Sequence, residues 1–182
     1  MFSTISAWIL RLWGWRITGR YPYETPKLIL AVAPHTSNWD FPLGILTRSA
    51  VKIDAKFVGK HTLFMWPFGG IMRWLNGIPV DRRQKGNFVA ATADLFQHTD
   101  HLHIVIAPEG TRKKVDRFKT GFYHTARMAG IPIALCTFNW EKREVHFDEN
   151  LFWPTDNEEA DMAWLWNYFK DVPGCIPENG VH

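Results

Sequence analysis

Two short strings carry the residue types that chemistry would need: HTSNWD at positions 35–40 and PEGTR at positions 108–112. The first sets His35 and Asp40 just after the apolar run LILAVA, residues 28–33. The second places Glu109, Gly110, Thr111 and Arg112 just after HIVIA, residues 103–107. An imidazole can take a proton from a hydroxyl near neutral pH, and a carboxylate can hold it in the tautomer that does so. The planar fork of Arg112 suits an anionic group. Both strings fall where a buried strand would give way to a loop or helix, the end of an open α/β sheet at which ligands bind.

Spacing limits how the first pair can meet. On an ideal helix, residues five apart lie about 140° apart around the axis, so His35 and Asp40 approach only across irregular chain. Thr36, Ser37 and Asn38 between them are cap and turn formers. They predict a helix starting near Ser37 or Asn38 with Asp40 in its first turn, where free backbone N–H groups suit an anion. Taken alone, the same string also fits a capping or solvated histidine beside an aspartate that merely favours the helix dipole.

Order along the chain adds what neither string has by itself. HTSNWD, the stretch KFVGKHTLFMWPFGGIMRWLNGIPVDR (56–82), the stretch IAPEGTRKKVDRFKTGFYHTA (106–126) and GIPIAL (130–135) follow one another. In this order they resemble the sequence blocks of the glycerolipid acyltransferases, specifically the 1-acylglycerol-3-phosphate O-acyltransferase (lysophosphatidate acyltransferase) family, over roughly residues 28–140. The resemblance implies His35 as catalytic base and Asp40 as the residue that orients it. It implies Arg82 from the second block, and Glu109, Gly110, Thr111 and Arg112 from the third, as substrate-binding positions. Arg112 and Arg82, with Lys119, are then expected to hold the acceptor's phosphate, and Glu109 to orient the arginines. The chain departs from the family pattern at Ala107, Lys113 and Leu135, where an aromatic, a serine and a proline are usual.

The activity so implied moves an acyl chain from an acyl thioester, acyl-CoA or acyl carrier protein, to the hydroxyl of a lysophospholipid or glycerol-phosphate-type acceptor. Such a transfer requires no metal and no bound redox cofactor. Other readings of the same residues are a thioesterase in which His35 activates water, another lipid hydrolase, or a lipid-binding protein without catalysis. A further rival is HTDHLH at 98–103, whose His98, Asp100, His101 and His103 are metal-ligand types; a solvated turn is the alternative, and no metal ligand is assigned.

Composition fits these partners. The 182 residues suit one domain with one core, and the ten tryptophans exceed the usual share several-fold. Tryptophan joins a large apolar ring to an N–H that needs a partner, which suits a membrane interface or a lipid-binding surface. The net charge of +3 hides an asymmetry: residues 21–140 hold 15 Lys and Arg against 8 Asp and Glu, whereas residues 141–182 hold 3 against 10. The basic part contains every motif, so its field draws phosphate-bearing lipids, coenzyme A or an acidic carrier. No nucleic-acid module is recognisable, and nucleic acid is excluded as a partner. Cys136 and Cys175 lack metal-ligand spacing and fit free thiols in a reducing compartment.

The elements that must position these groups alternate along the chain. Residues 2–17 predict an amphipathic helix with Phe2, Ile5, Trp8, Ile9, Leu12 and Trp13 in a stripe edged by arginines. That stripe fits either a membrane interface or the protein's own core. Residues 1–20 are accordingly read as a docking helix and 21–182 as the acyltransferase domain. No apolar run is long enough to cross a bilayer and no signal peptide is evident, so the expected location is peripheral, on the cytoplasmic face of a membrane. Strands are expected at 28–33, 55–59, 77–81, 103–107, 132–139 and 144–147. Helices are expected at 39–50, 62–75, 86–98 and 119–129, with a last one opening at Asp156 in a capping box with Glu159. The alternation predicts a single α/β domain with a mixed, largely parallel sheet flanked by helices.

Overall fold

The computed structural model describes residues 2–67, 69–80 and 85–182, without the side chains of residues 59–61, 63, 80 and 85–88. Seven strands form one sheet: β1 (Arg16–Gly19), β2 (Lys27–Ala33), β3 (Ala55–Lys60), β4 (Gly77–Val80), β5 (Leu102–Ile106), β6 (Ile133–Asn139) and β7 (Glu144–Phe147), in the order β1-β7-β6-β2-β5-β3-β4. All neighbours are parallel except the β6–β7 hairpin. The helices are α1 (Phe2–Leu12), α2 (Asp40–Ala50), α3 (Gly69–Trp74), α4 (Lys85–Gln97), α5 (Gly121–Ala129) and α6 (Glu158–Phe169). The mixed, mainly parallel α/β sheet expected from the alternation is thus the one observed.

Strand β2 lies between β5 and β6, which explains why it reads as an unbroken apolar run rather than an alternating one. Its side chains go to opposite faces in turn. Ile29, Ala31 and Ala33 enter a core with Phe96 of α4, Phe122, Tyr123 and Ala126 of α5, and Leu165 and Phe169 of α6. Leu28 and Leu30 enter a second core with Leu10 of α1, Leu43 of α2, Cys136 and Phe138 of β6, and Phe147 of β7. Two helical layers therefore clamp one strand, and that strand delivers His35.

Four boundaries differ from the sequence expectation. The first helix stops at Leu12 rather than continuing to 17, because Gly14 turns with φ 82° and residues 16–19 become the edge strand β1, paired with β7. A domain boundary at residue 20 therefore separates β1 from the sheet it belongs to. The helix expected over 62–75 splits into a 3₁₀ turn (His61–Phe64) and the short α3, with Pro67 between them, where it cannot donate a helical N–H. The last helix is capped by Asn157, whose side chain accepts from the Ala160 N–H at 3.1 Å, and not by an Asp156–Glu159 box. The stripe on α1 faces outward: Phe2, Ile5, Trp8, Ile9 and Leu12 are exposed, and the helix buries Ser6 and Leu10 against the rest of the chain.

Candidate active site

Residues 34–39 carry the chain from β2 to α2, and His35 and Asp40 meet across that loop with His35 Nδ1 3.2 Å from Asp40 Oδ2. Helix α2 begins at Asp40 itself, later than Ser37 or Asn38, and the carboxylate folds back over the loop it terminates. Its Oδ2 accepts the backbone N–H groups of Thr36 at 2.8 Å and Ser37 at 2.7 Å. Its Oδ1 accepts the indole Nε1–H of Trp140 at 2.8 Å. Asp40 is 2% exposed, so these donors do for the buried carboxylate what water would otherwise do. The backbone groups expected to await an anion are occupied: besides Thr36 and Ser37, the Trp39 N–H goes to Ser37 Oγ at 3.2 Å.

An Asp40 carboxylate at Nδ1 places the imidazole proton there and leaves the lone pair on Nε2. The His35 side chain is about one-third exposed, and the residue lines the mouth of a mainly apolar cavity of about 180 Å³ between the sheet and α2. Phe41, Phe57, Val105, Phe138, Ile53 and Arg48 line it. Among the described residues His35 is the one histidine whose nitrogen is held by a buried carboxylate, and it lines this cavity.

Glu109 is placed differently from its expected part as an orienter of arginines. It is 2% exposed, its Oε1 accepts the backbone N–H of His35 at 2.7 Å, and its Oε2 is buried with no hydrogen-bond partner among the described residues. Burial raises its pKa, partly opposed by the hydrogen bond from His35. Glu109 therefore ties the second motif to the first by gripping the backbone of His35. Gly110 has φ 64°, a left-handed turn that glycine adopts without strain, and it swings the following chain back to the surface. Thr111, Arg112 and Lys119 are exposed there. The Arg112 guanidinium donates to Asn38 Oδ1, so one cation of the second motif rests on the loop of the first. Lys113, Lys114 and Arg117 surround it on the same exposed segment, and no carboxylate pairs with Arg112, these three or Lys119 among the described residues. Arg82 lies outside the described residues.

Sequence reasoning missed two contributors. Trp140 closes the hydrogen-bond shell of Asp40 from the end of β6, and its ring packs edge-on against Trp15 at 5.0 Å and Trp13 at 6.0 Å. The C-terminal segment braces the loop: the Ile176 N–H donates to Thr36 Oγ1 at 3.1 Å, and a Cβ on Gly174 would stand 2.7 Å from the Thr36 side chain. The surplus of tryptophans was the only available signal for the first, and nothing pointed to the second. The 98–103 cluster does not assemble. His103 is a core residue whose Nδ1 accepts from Tyr21 Oη at 2.5 Å and whose Nε2–H donates to the Thr25 carbonyl at 2.7 Å. His98 faces Asp94 on α4 instead, and no group of three or more metal-ligand types converges among the described residues. A wider cleft of about 550 Å³ between residues 116–120 and α6 is lined by neither His35 nor Arg112.

Known proteins share this arrangement of sequence and fold. The chain is 31% identical over 140 residues to the 1-acyl-sn-glycerol-3-phosphate acyltransferase of Haemophilus influenzae, covering 71% of this chain and 57% of that protein. It is 31% identical over 130 residues to the Escherichia coli protein of the same name, covering 67% and 52%. The chain thus spans little more than half the length of the curated relatives it matches. The crystal structure of the 1-acyl-sn-glycerophosphate (LPA) acyltransferase PlsC from Thermotoga maritima superposes with a TM-score of 0.63 over 92% of this chain and 74% of that one; at 19% identity it shows a common fold. Residues 15–138 match the acyltransferase family, and with relatives at this level of identity the chain belongs to that family.

Proposed function

We propose that this protein transfers an acyl chain from an acyl thioester, acyl-CoA or acyl carrier protein, to the hydroxyl of a lysophospholipid or glycerol-phosphate-type acceptor. The observation that carries this reading is His35, oriented by the buried Asp40, at the mouth of an apolar cavity in a chain of the acyltransferase family. In this scheme His35 Nε2 takes the proton of the acceptor hydroxyl as its oxygen attacks the thioester carbonyl carbon. Asp40 stabilises the imidazolium. Collapse of the tetrahedral intermediate breaks the C–S bond, and the imidazolium returns the proton to the leaving thiolate, which departs as thiol. The transfer balances without a redox change, so no bound cofactor is called upon. The cavity takes the acyl chain, and Arg112, Lys119 and Arg82 hold the acceptor's phosphate.

The outward stripe of α1 supports a peripheral membrane role, since large apolar residues gathered on one exposed helix face suit an interface. No helix among the described residues is long and apolar enough to cross a membrane. Thioester donors place the reaction on the cytoplasmic face. Mass spectrometry of products from mixed lysolipids, with acyl-CoA and acyl carrier protein as donors, tests the assignment. Ester formed on the acceptor is the expected product, and free acid alone would make the protein a hydrolase. His35→Ala should lower turnover by roughly 10²- to 10⁴-fold with the fold intact. A folded variant with near-normal transfer would refute the base.

A further inference from the structure

We propose that Met65, Trp66, Ile71 and Trp74 form a second lipid-contact surface, beside the cavity mouth and apart from α1, that docks on an anionic bilayer. These four residues are 55%, 93%, 54% and 75% exposed, within a ten-residue stretch. Scattered apolar residues on a surface are ordinary, but four large ones in one short segment are a patch that wants a partner. Ile71 and Trp74 lie three apart on α3 and so share a face.

Charge identifies the partner. From Ala55 to Val80 the sequence holds Lys56, Lys60 and Arg73 and no acidic residue. Exposed Arg73 lies beside Trp74. Tryptophan next to cations is the composition of an interfacial anchor on anionic lipid, and the acid that reaches this segment, Asp54, accepts a hydrogen bond from Asn76 Nδ2 at 3.3 Å. A symmetric contact with a second copy of this chain would set the basic segment against itself and gain no such complementarity.

Ring contacts lead from the cavity to the residue that precedes the patch. Phe41 and Phe57 line the cavity and pack edge to face at 5.3 Å, and Phe57 stacks on the buried Phe64 at 6.5 Å. Met65 and Trp66 follow Phe64 directly. At the other end of the same loop, exposed Trp39 meets Trp13, just beyond α1, at 6.1 Å. A path of aromatic contacts thus leads from the cavity wall through Phe57 to Phe64, whose next two residues belong to the patch. A lipid held at the patch would stand beside that wall. The inference rests on the lipid-acyltransferase reading for the meaning of that path, but its test needs no turnover, so the two fail independently.

The test uses the full chain and flotation with vesicles of phosphatidylcholine containing a minority of phosphatidylglycerol. Trp66→Ser with Trp74→Ser should weaken apparent vesicle affinity by about tenfold or more, and Trp8→Ser with Leu12→Ser on α1 should cause a separate loss that multiplies with it. Arg73→Gln should weaken binding only at low salt. Because the substituted side chains are exposed, the melting temperature should hold. Should it fall, a polarity-sensitive dye on Trp66→Cys in a Cys175→Ser background must shift to the blue on adding vesicles, and an unchanged spectrum overturns the proposal. Vesicle affinity within about twofold of the parent for Trp66→Ser with Trp74→Ser also overturns it. So does sedimentation showing a lipid-free dimer that these substitutions dissociate, which would make the patch a contact between copies.

Discussion

Trp140 and Asp40 stand one hundred positions apart in the sequence, yet the indole Nε1–H of one donates to the carboxylate Oδ1 of the other at 2.8 Å. The same carboxylate holds His35 through its other oxygen. Removing the indole donor therefore reaches the base without touching it. Trp140→Phe keeps an aromatic ring against Trp13 and Trp15 and deletes the hydrogen bond. A hydrogen bond to a charged group contributes roughly 1.5–3 kcal/mol, so a turnover loss on the order of ten- to a hundredfold is expected where Asp40 works mainly on the imidazolium. The acceptor KM should change little, because the indole N–H goes to Asp40 and not to Arg112 or Lys119. Steady-state kinetics decide: an unchanged kcat would make the indole a packing residue only.

Arg112 rests on Asn38 Oδ1, which fixes the guanidinium over the loop that carries His35. Arg112→Ala should raise KM for phosphate-bearing acceptors about tenfold or more, the worth of one charge-assisted hydrogen bond. The effect should shrink with an acceptor that lacks the phosphate. Asn38→Ala leaves the charge and removes its rest, so its penalty should be the smaller of the two. Equal harm to charged and neutral acceptors by Arg112→Ala would assign the arginine to the donor or to the fold.

The expected elements most clearly legible were those whose burial is written into consecutive residues. Strands β2 and β6 are covered on both faces, so their apolar runs stand out, and the motif loops follow from where those runs end. Pairing is a different matter. Nothing in residues 16–19 announces that Arg16 will meet Glu144 at 2.7 Å or Thr18 Oγ1 will meet His146 Nδ1 at 2.9 Å, and so the first half of β1 read as the end of a helix. The meeting of His35 with Asp40 was legible because it is local. Glu109 was legible as part of a motif but not as a partner for a backbone N–H 74 positions away, and Trp140 only as one tryptophan among ten.

His103 shows how a chemically suggestive residue can belong to the core. Burial lowers its pKa, and its two nitrogens are engaged by Tyr21 and the Thr25 carbonyl. Protonation would turn Nδ1 from acceptor to donor against the Tyr21 hydroxyl. The folded state therefore binds this proton less readily than the unfolded chain does. Stability from this residue is fully present above the ordinary histidine value of 6.5 and is lost as pH falls through the lower folded value. Urea unfolding at a series of pH values should show a steeper acid loss for the parent than for His103→Gln. Tyr21→Phe, which leaves Nδ1 buried without a partner, should cost roughly 1–3 kcal/mol.

Glu109 predicts the opposite slope. Its carboxyl is buried beside His35 and Asp40, and burial holds its pKa above the usual carboxylate range. The folded state binds this proton more tightly than the unfolded chain. Its contribution is therefore complete below the unfolded pKa and is lost as pH rises through the folded one. Glu109→Gln keeps an oxygen to accept the His35 N–H and removes the titration, so unfolding free energy should flatten relative to the parent as pH rises above the ordinary carboxylate value of 4.5. Glu109→Ala, by contrast, leaves that N–H without its partner and should cost roughly 1–3 kcal/mol relative to Glu109→Gln at every pH. Activity separates the two parts the residue plays. If Glu109 serves His35 only by holding its backbone, Glu109→Gln should retain most of the turnover, while Glu109→Ala loses it together with the geometry of the loop. A Gln variant as inactive as the Ala variant would show that the carboxyl charge or proton itself takes part in the reaction.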